Sequence, residues 1–278
     1  MTEYLQHTYD LNTPEIAGAF DESSLWGSRF GDLLLSHIEF RPGIAILDVG
    51  CATGFPTFEL AQTFGRSCRV VGVDIWQEAL QRARFKWRVN RVPNVAFLAA
   101  DAAKLPFPAE AFDLIVSNLG LNNFADPAAM LEECFRVARP GGRVAFTTNV
   151  TGHMAEFYQV YRDILAEFGK PAYLERLAAG EAHRGSPESV RRLLEAAGFR
   201  VVKQVEDRFM LRYANANTLF EHWLTQLGFL EGWRRVVGPA DEDAVFEALE
   251  TRLDCLAARD GELRLTVPML YIEGEKPA

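Results

Sequence analysis

The chain has 278 residues, of which 49% are hydrophobic and 24% are charged, a balance typical of a globular protein. Its 29 lysines and arginines against 38 aspartates and glutamates leave a net charge of −9, which disfavours non-specific binding to nucleic acid. No apolar run is long enough to cross a bilayer and the first residues lack the form of a signal peptide, so we expect a cytoplasmic protein built as a single domain, residues 1–278, with an insertion.

The N-terminal segment, residues 1–41, is predicted to be helical. Apolar residues recur at helical spacing from about Ser24 to Glu39, and the Pro-Gly pair at 42–43 ends that helix. Tyr4, Tyr9 and Trp26 could cover a ligand pocket, but we favour a packing role for most of them.

A strand, a glycine turn and a helix follow one another between Ile44 and Gln62. The apolar run 44–47 suits a parallel strand buried on both faces, and Asp48, Gly50 and Gly54 come next. This order predicts a turn that presents backbone N–H groups to a nucleotide-like ligand at the carboxyl edge of a sheet.

The spacing of that turn excludes two common nucleotide motifs. The dinucleotide fingerprint G-x-G-x-x-G, started at Gly50, meets Ala52 and Phe55 in place of its other glycines. No Gly-Lys-Ser/Thr follows to complete a phosphate loop. Cys51 lies inside the turn and could contact a ligand, although a small apolar filler is the more common role.

Strands and helices then alternate, which predicts an α/β fold. The strands are predicted at Arg69–Val73, Val95–Ala99, Ala111–Ser117, Arg143–Thr147, Arg200–Tyr213 and Glu262–Glu273. The helices are predicted at Gln77–Trp87 and Pro127–Ala138, the latter stopped by 139–142, then from about residue 158 to Phe168 and at Pro187–Ala197.

Asp74 stands at the end of the second strand. Its carboxylate could accept hydrogen bonds from both hydroxyls of a ribose, or it could cap the following helix. We favour the ribose role because the glycine turn lies at the correct distance upstream. Ile75 and Trp76 follow at once and could flank an adenine.

The stretch Asp48-x-Gly50-x-x-x-Gly54 resembles the first motif of class I S-adenosylmethionine (SAM) methyltransferases, which often have glycine where this chain has Ala52. With the later motifs, the chain resembles the ubiquinone/menaquinone-biosynthesis-like group of that family over roughly residues 44–149. Those motifs are Val70–Asp74, Phe97–Phe107, Phe112–Asn118 and Leu131–Phe146.

The resemblance implies a Rossmann-like, seven-stranded, mostly parallel sheet with an antiparallel last strand. It implies SAM as cofactor and S-adenosylhomocysteine as product, with Asp101 near the adenine amino group, where a carboxylate can only accept; the alternative for Asp101 is a surface turn. The cofactor contacts are expected at Asp48, Gly50, Cys51, Ala52, Gly54, Asp74, Ile75, Asp101, Ala102, Asn118 and Leu119.

His153 is the best candidate for a general base, because it follows the fifth strand and histidine titrates near neutral pH. Glu156 could orient it, and Tyr158 could donate a hydrogen bond to an acceptor oxygen. The alternative is a histidine near a helix start that bonds only to backbone. His183 and His222 are weaker candidates. No third ligand accompanies His153 and Glu156, and no C-x-x-C pair occurs, so we expect no metal.

Three amides follow the fourth strand. Asn118, Asn122 and Asn123 could hold the methionine end of the cofactor or a polar acceptor, because an amide both donates and accepts. Turn chemistry also favours asparagine and is the alternative. Asn118 is expected nearest to the methyl group.

The segment 214–261 is predicted to be a helical insertion between the last two strands. Its aromatic and apolar residues, Phe220, Trp223, Leu224 and Phe229, are expected to form a cap over the acceptor pocket. A homodimer interface is the competing interpretation. Substrate contacts are therefore expected at Asn122, Asn123, His153 and Trp223.

The sequence thus predicts a SAM-dependent methyltransferase acting on a small molecule. The alternative is a SAM-binding or regulatory protein on the same fold without turnover.

Overall fold

The computed structural model describes residues 3–22 and 24–278. Within them, seven strands form one sheet in the order β3-β2-β1-β4-β5-β7-β6. They are β1 (Ala45–Val49), β2 (Arg69–Asp74), β3 (Val95–Ala99), β4 (Phe112–Asn118), β5 (Ala138–Asn149), β6 (Arg200–Tyr213) and β7 (Leu263–Glu275). Strands β1 to β5 pair in parallel and β7 runs antiparallel to β5. The predicted fold class is confirmed.

Twelve α-helices lie in the described part of the chain, preceded by a short 3-10 helix at Glu3–Gln6. They are α1 (Pro14–Glu22), α2 (Ser24–Leu35), α3 (Thr57–Phe64), α4 (Gln77–Asn90), α5 (Pro127–Val137), α6 (Ala155–Glu167), α7 (Pro171–Ala182), α8 (Pro187–Ala196), α9 (Ala216–Glu221), α10 (Trp223–Gly228), α11 (Leu230–Arg234) and α12 (Glu242–Asp260). The last four occupy the segment between β6 and β7.

Several elements differ from the sequence-based prediction, and two of the differences have a clear cause in the backbone hydrogen bonds. The predicted N-terminal helix ends at Leu35 and not at Glu39, because the N–H groups of residues 37 and 38 both turn back to the Leu34 carbonyl. The run 139–142 does not only stop α5. It belongs to β5, where Ala138 pairs with Phe112, a bulge follows, and residues 141 and 142 exchange hydrogen bonds with Lys276.

The chain divides into two compact units. The sheet unit comprises Asp10–Asn149, Ser186–Glu206 and Met269–Ala278. Its core contains the fully buried side chains of Ile46 and Leu47 on β1 and of Phe146 on β5. A continuous apolar strand of this kind is typical of a parallel sheet covered on both faces.

The helical unit comprises the described residues up to Tyr9 together with Val150–Gly185 and Asp207–Pro268. Its core is aromatic: Phe157 stacks on Trp233 with ring centroids 4.1 Å apart, and Tyr4 stacks on Phe220 at 4.8 Å. Phe220 is fully buried, so the aromatic density seen in the sequence serves the packing of this unit.

Candidate functional site

The candidate site lies where the strand order of the sheet unit reverses, between β1 and β4. Both strands are parallel and adjacent, and their carboxyl ends carry Gly50 and Asn118. Ser117 ties the two ends together, because its hydroxyl donates to the Val49 carbonyl at 2.6 Å. Open α/β sheets bind their ligands at such a reversal point.

The glycine turn after β1 is held by its own N–H groups. Gly50 N and Cys51 N both donate to the Val73 carbonyl, at 2.9 and 3.0 Å, and Gly54 N donates to the Cys51 carbonyl at 2.7 Å. The expectation that the turn presents its N–H groups to a ligand is therefore wrong for these three. Gly50 and Gly54 have φ of 79° and 101°, where glycine is favoured.

Ala52 completes the turn in a left-handed conformation, with φ of 43°. A side chain in this region costs roughly 1 kcal/mol, which explains why glycine is common here in the resembled family. Its N–H donates to Asp74 Oδ2 at 2.8 Å. Adding a Cβ at Gly54 would bring it within 2.7 Å of the Phe58 ring, so this glycine is needed for space as well as for conformation.

Asp74 links the turn to the end of β2. One carboxylate oxygen accepts from Ala52 N and the other from Trp76 N, each at 2.8 Å. It does not cap α4, whose N-cap residue is Trp76 without a side-chain bond. Each carboxylate oxygen accepts about two hydrogen bonds, so Asp74 keeps capacity for the hydroxyls of a ligand.

Asp48 lies beneath the turn and is fully buried. Its Oδ2 accepts from the Thr57 hydroxyl at the first residue of α3, while Oδ1 has no hydrogen-bond partner among the described residues. Burial, together with the charge of Asp74, raises the pKa of Asp48 to about 7 against the lowering effect of Thr57. Asp48 Oδ1 can thus still accept a hydrogen bond. Cys51 is also fully buried, in agreement with the filler role.

The polarity of the turn fits one class of ligand. Its N–H donors are used internally, whereas two carboxylates, Asp48 and Asp74, lie at its base and its edge. A pyrophosphate needs the donors of a glycine turn, but the ammonium and sulfonium groups of SAM need acceptors and negative charge. The residues present therefore fit SAM, and the internal bonds of these N–H groups disfavour a pyrophosphate at this turn.

The adjacent strand end carries the predicted adenine contacts. Asp74 pairs with Ala99, the last residue of the neighbouring strand β3, and Asp101 follows two residues after Ala99 in the loop beyond that strand. Asp101 is exposed and its Oδ1 accepts from Ala103 N at 2.9 Å, which shows the alternative turn role. Ile75 is 72% exposed, a surface available to a flat apolar ligand, while Ala102 is buried.

Helices α1 and α2 pack on the glycine turn, a role that the sequence did not reveal. Asp21 of α1 binds Arg82, Lys86 and Thr53. Burial raises the pKa of Asp21, but these three hydrogen bonds outweigh burial and hold it below its usual value.

On α2, Gly31 leaves room for the ring of Phe55, which would lie 2.3 Å from a Cβ at that position. The pair of glycines four residues apart, Gly27 and Gly31, was the available signal. Trp26, on the same helix, packs on Phe30 with ring centroids 5.1 Å apart.

The amides after β4 mostly bind the protein itself. Asn118 donates to the Gly27 carbonyl at 3.0 Å and accepts from the Thr147 hydroxyl at 2.7 Å. Asn122 donates to the carbonyl and the side-chain oxygen of Asn149, and Asn123 donates to the Leu119 carbonyl in a turn. Their contacts with a cofactor or an acceptor stay predictions.

Phe124 lies beside the glycine turn and was missed by sequence reasoning. A Cβ added at Gly50 would lie 3.4 Å from its ring, and one at Gly120 would lie 2.9 Å from the ring and 2.3 Å from Ser117 Oγ. Gly120 is therefore required by the close approach of Phe124 and Ser117. Leu119, just before it, has φ of 66° and donates its N–H to the Thr147 carbonyl.

The other predicted residues lie in the helical unit. His153 is buried against the Phe229 ring, with centroids 5.3 Å apart. Burial, and then the charge of Arg184, hold the pKa of His153 well below its usual value, so the imidazole is neutral. Glu156 does not orient His153: its carboxylate accepts from the hydroxyl and N–H of Thr266 on β7.

Tyr158 is also buried, and its phenol oxygen accepts from Trp233 Nε1 at 3.1 Å and from Arg184 Nη1 at 3.4 Å. Trp223 meets the edge of Tyr9 at 5.1 Å.

The two weaker histidine candidates have local structural roles. His222 accepts from Leu224 N at the start of α10, and His183 follows the last residue of α7. Burial lowers the pKa of His222. No helix within residues 3–22 and 24–278 has the length and apolar character of a membrane span.

Comparison with known proteins identifies relatives for most of this architecture. Residues 40–198 match the family described as Methyltransferase domain. Over 274 residues the chain is 29% identical to nocamycin O-methyltransferase of Saccharothrix syringae, covering 95% of this chain and 97% of that enzyme.

A second relative, the demethylmenaquinone methyltransferase of Lactococcus lactis, is 37% identical over 130 residues. That match covers 45% of this chain and 48% of the enzyme, so the chain matches about half the length of this relative. Among solved structures, the YcgJ protein of Bacillus subtilis superposes with a TM-score of 0.58 at 17% identity, covering 90% of this chain and 99% of that one, which shows a shared fold.

Proposed function

The chain belongs to the family of methyltransferase-domain proteins, and we propose that it transfers a methyl group from SAM to a small-molecule acceptor. The observation that carries the cofactor assignment is the polarity of the glycine turn. Its donors are bound internally, and the carboxylates of Asp48 and Asp74 lie at its base and its edge. A small-molecule acceptor is supported by the end-to-end similarity to an enzyme named as an O-methyltransferase of nocamycin.

In this proposal the residues of the sheet unit bind and orient. SAM supplies an activated methyl group for an in-line displacement. Asp74 holds the ribose while fixing Ala52 and Trp76, and Asp48, whose pKa is raised to about 7 by burial, lies beneath the methionine end, where a bound cation favours its ionised form. Ile75 covers one face of the adenine, and the Phe124 ring lines the cofactor site beside Gly50. Fixed orientation and exclusion of water are the main contributions that a protein makes to such a reaction.

We propose that residues of the helical unit recognise the acceptor. His153 is buried and neutral, and its lowered pKa makes it a weak base, so a ring nitrogen serves to accept a hydrogen bond from a hydroxyl of the acceptor, while Tyr158 presents a phenol. A base is needed only when the acceptor loses a proton in or near the transition state. Trp223 contributes apolar surface.

Titration calorimetry with Asp74→Asn tests the cofactor site. Asparagine keeps the size of the side chain but removes its charge and one acceptor oxygen. We expect SAM to bind about 10- to 100-fold more weakly, since a hydrogen bond to a charged group contributes about 1.5–3 kcal/mol. The control is Asp163→Asn on α6, an exposed carboxylate bonded only to Gln159 within the described residues.

Equal affinity of the wild type and a folded Asp74→Asn protein would remove Asp74 from the site. A screen of small acceptors with methyl-labelled SAM, read by mass spectrometry, tests the transfer itself. SAM binding without transfer to any acceptor would favour the alternative of a binding protein.

A further inference from the structure

Five side chains of the helical unit form one polar–aromatic group, which we call the Arg184 cluster: His153, Tyr158, Arg184, Phe229 and Trp233. Contacts join them in a chain. His153 lies against Phe229, Phe229 stacks on Trp233 at 5.9 Å, Trp233 Nε1 donates to Tyr158, and Arg184 donates to the same phenol. No sequence motif indicated a role for Arg184.

The cluster has more donors than acceptors. The Tyr158 oxygen already receives two hydrogen bonds, so its own hydrogen points elsewhere as a donor, and no described residue accepts it. Arg184 forms no ion pair with any carboxylate of the described chain. Arg184 and Tyr158, which are hydrogen-bonded to each other, thus both keep N–H or O–H groups that no carboxylate of the described residues receives.

The neighbouring arginines of this unit behave differently. Arg162 binds Glu181, Arg234 binds Glu242, and Arg252 binds Glu167. Arg184 is half-buried and held over the Tyr158 ring at 6.0 Å, and its charge lowers the pKa of His153. An unpaired cation beside a buried neutral imidazole is costly unless an anion offsets it.

The backbone keeps the cluster in place. Thr151 donates its N–H to the Gly185 carbonyl and its hydroxyl to the Arg184 carbonyl. Met154 N donates to the Thr266 carbonyl at 2.7 Å, and Met154 adopts a left-handed φ of 49°. Strained conformations that the surroundings hold fixed are common at binding sites. Backbone hydrogen bonds on both sides of His153 therefore hold its turn in place.

We propose that the Arg184 cluster binds the acidic group of an aromatic or enolic acid, which is the methyl acceptor of this enzyme. The guanidinium of Arg184 and the phenol of Tyr158 donate to the anion, and the half-buried ring of Phe229 packs on its apolar part. That the bound acid is the acceptor rests on the proposed methyl transfer; the binding itself does not.

Fluorine NMR tests the binding without SAM and without turnover. The probes are 4-fluorobenzoate and the neutral 4-fluorobenzamide, which has nearly the same shape. We expect the wild type to bind the acid at least about tenfold more tightly than the amide, and Arg184→Gln to lose that preference. Arg162→Gln is the matched control, because Arg162 lies on α6 and is already paired with Glu181.

Tyr158→Phe provides a second test that removes one donor and keeps the ring, in case Arg184→Gln does not fold. We expect it to weaken binding of the acid several-fold and leave binding of the amide unchanged. No binding of the acid by the wild type, equal binding of acid and amide, or unchanged binding in both variants would overturn the proposal.

SAM affinity measured by calorimetry on the same proteins separates the two proposals. Loss of acid binding in Arg184→Gln with SAM affinity intact supports the cluster. Acid binding in a protein that never binds SAM would refute the proposed function and leave the anion site standing.

Discussion

Replacing Asp48 with asparagine should change how the stability of the sheet unit depends on pH. Asp48 is fully buried, with one oxygen bonded to Thr57 and the other without a partner among the described residues. Burial, assisted by the charge of Asp74, raises its pKa from 3.8 to about 7. The folded protein therefore holds a proton on Asp48 at pH values where the unfolded chain does not.

The sign of the effect follows from that difference. Below about pH 4 both states are protonated and Asp48 has no effect on the pH dependence. As pH rises from about 4 to about 7, the folded state retains a proton that the unfolded state has already lost, so the free energy of unfolding falls. A pKa about three pH units above 3.8, at about 1.4 kcal/mol for each, gives an upper limit of about 4 kcal/mol.

Asparagine cannot ionise, so Asp48→Asn should lack this fall. Its amide oxygen can still accept from Thr57, although a buried amide nitrogen without a partner costs about 1–3 kcal/mol at every pH. We expect the variant to be less stable than the wild type near pH 5, and the difference to shrink or reverse near pH 8. Urea titration with pulsed hydrogen exchange, read on peptides from β1 and α3, reports on the sheet unit alone.

Asp113→Asn is a control, because the pKa of Asp113 is shifted in the opposite direction to that of Asp48. Asp113 is also buried in part, which raises its pKa, but hydrogen bonds from Ala45 N and Arg139 outweigh burial and hold that pKa below its usual value. Its contribution is present above pH 4 and is lost only on further acidification. Between pH 5 and 8 its variant should lose a constant amount of stability. Parallel pH profiles for the wild type and Asp48→Asn would refute the reasoning about Asp48.

Two further predictions concern the glycine turn and the helical unit. Gly50→Val should abolish SAM binding, because a branched residue at φ of 79° is strained and its side chain would meet Phe124. Ala52→Gly should retain binding, because it replaces an alanine in the left-handed conformation. Calorimetry on the folded proteins measures both, and tight binding by Gly50→Val would show that SAM binds elsewhere. Trp223→Ala should raise the KM of the acceptor and leave SAM affinity unchanged. A lower oligomeric state with normal turnover per chain would instead favour the dimer interface.

The strands and the glycine turn were predictable because their signals are local. A buried parallel strand is an apolar run, as in β1, where all five residues are buried. The exposed strands β3 and β6 also have the predicted bounds. The family predicted from the strand-end motifs is confirmed by the match over residues 40–198. Helix α7 was missed, and α1 was predicted only as part of the helical segment 1–41, because each buries only one or two side chains and its apolar periodicity is weak. Both begin with proline, which was the remaining signal.

The partners of the site residues could not be predicted, because they come from distant parts of the chain. Asn118 finds its carbonyl partner at Gly27, 91 residues away, and Tyr158 meets Trp233, 75 residues away. The sequence around an asparagine after a strand does not predict whether its side chain binds a ligand or another part of the protein. Only the packing of α2 on the sheet decides between them.

The hydrogen bonds of the glycine turn also explain why its spacing in the sequence distinguishes one cofactor class from another. In a dinucleotide fold the glycines bring N–H groups toward a pyrophosphate. Here Gly50 N and Cys51 N close back onto Val73, which draws the turn toward β2 and places Ala52 N on Asp74. The result is a turn with carboxylates where a phosphate binder has donors. A pyrophosphate would find these N–H donors already bonded, whereas the buried Asp48 offers an acceptor beneath a cationic group, so the change in spacing corresponds to a change in the kind of ligand that the turn favours.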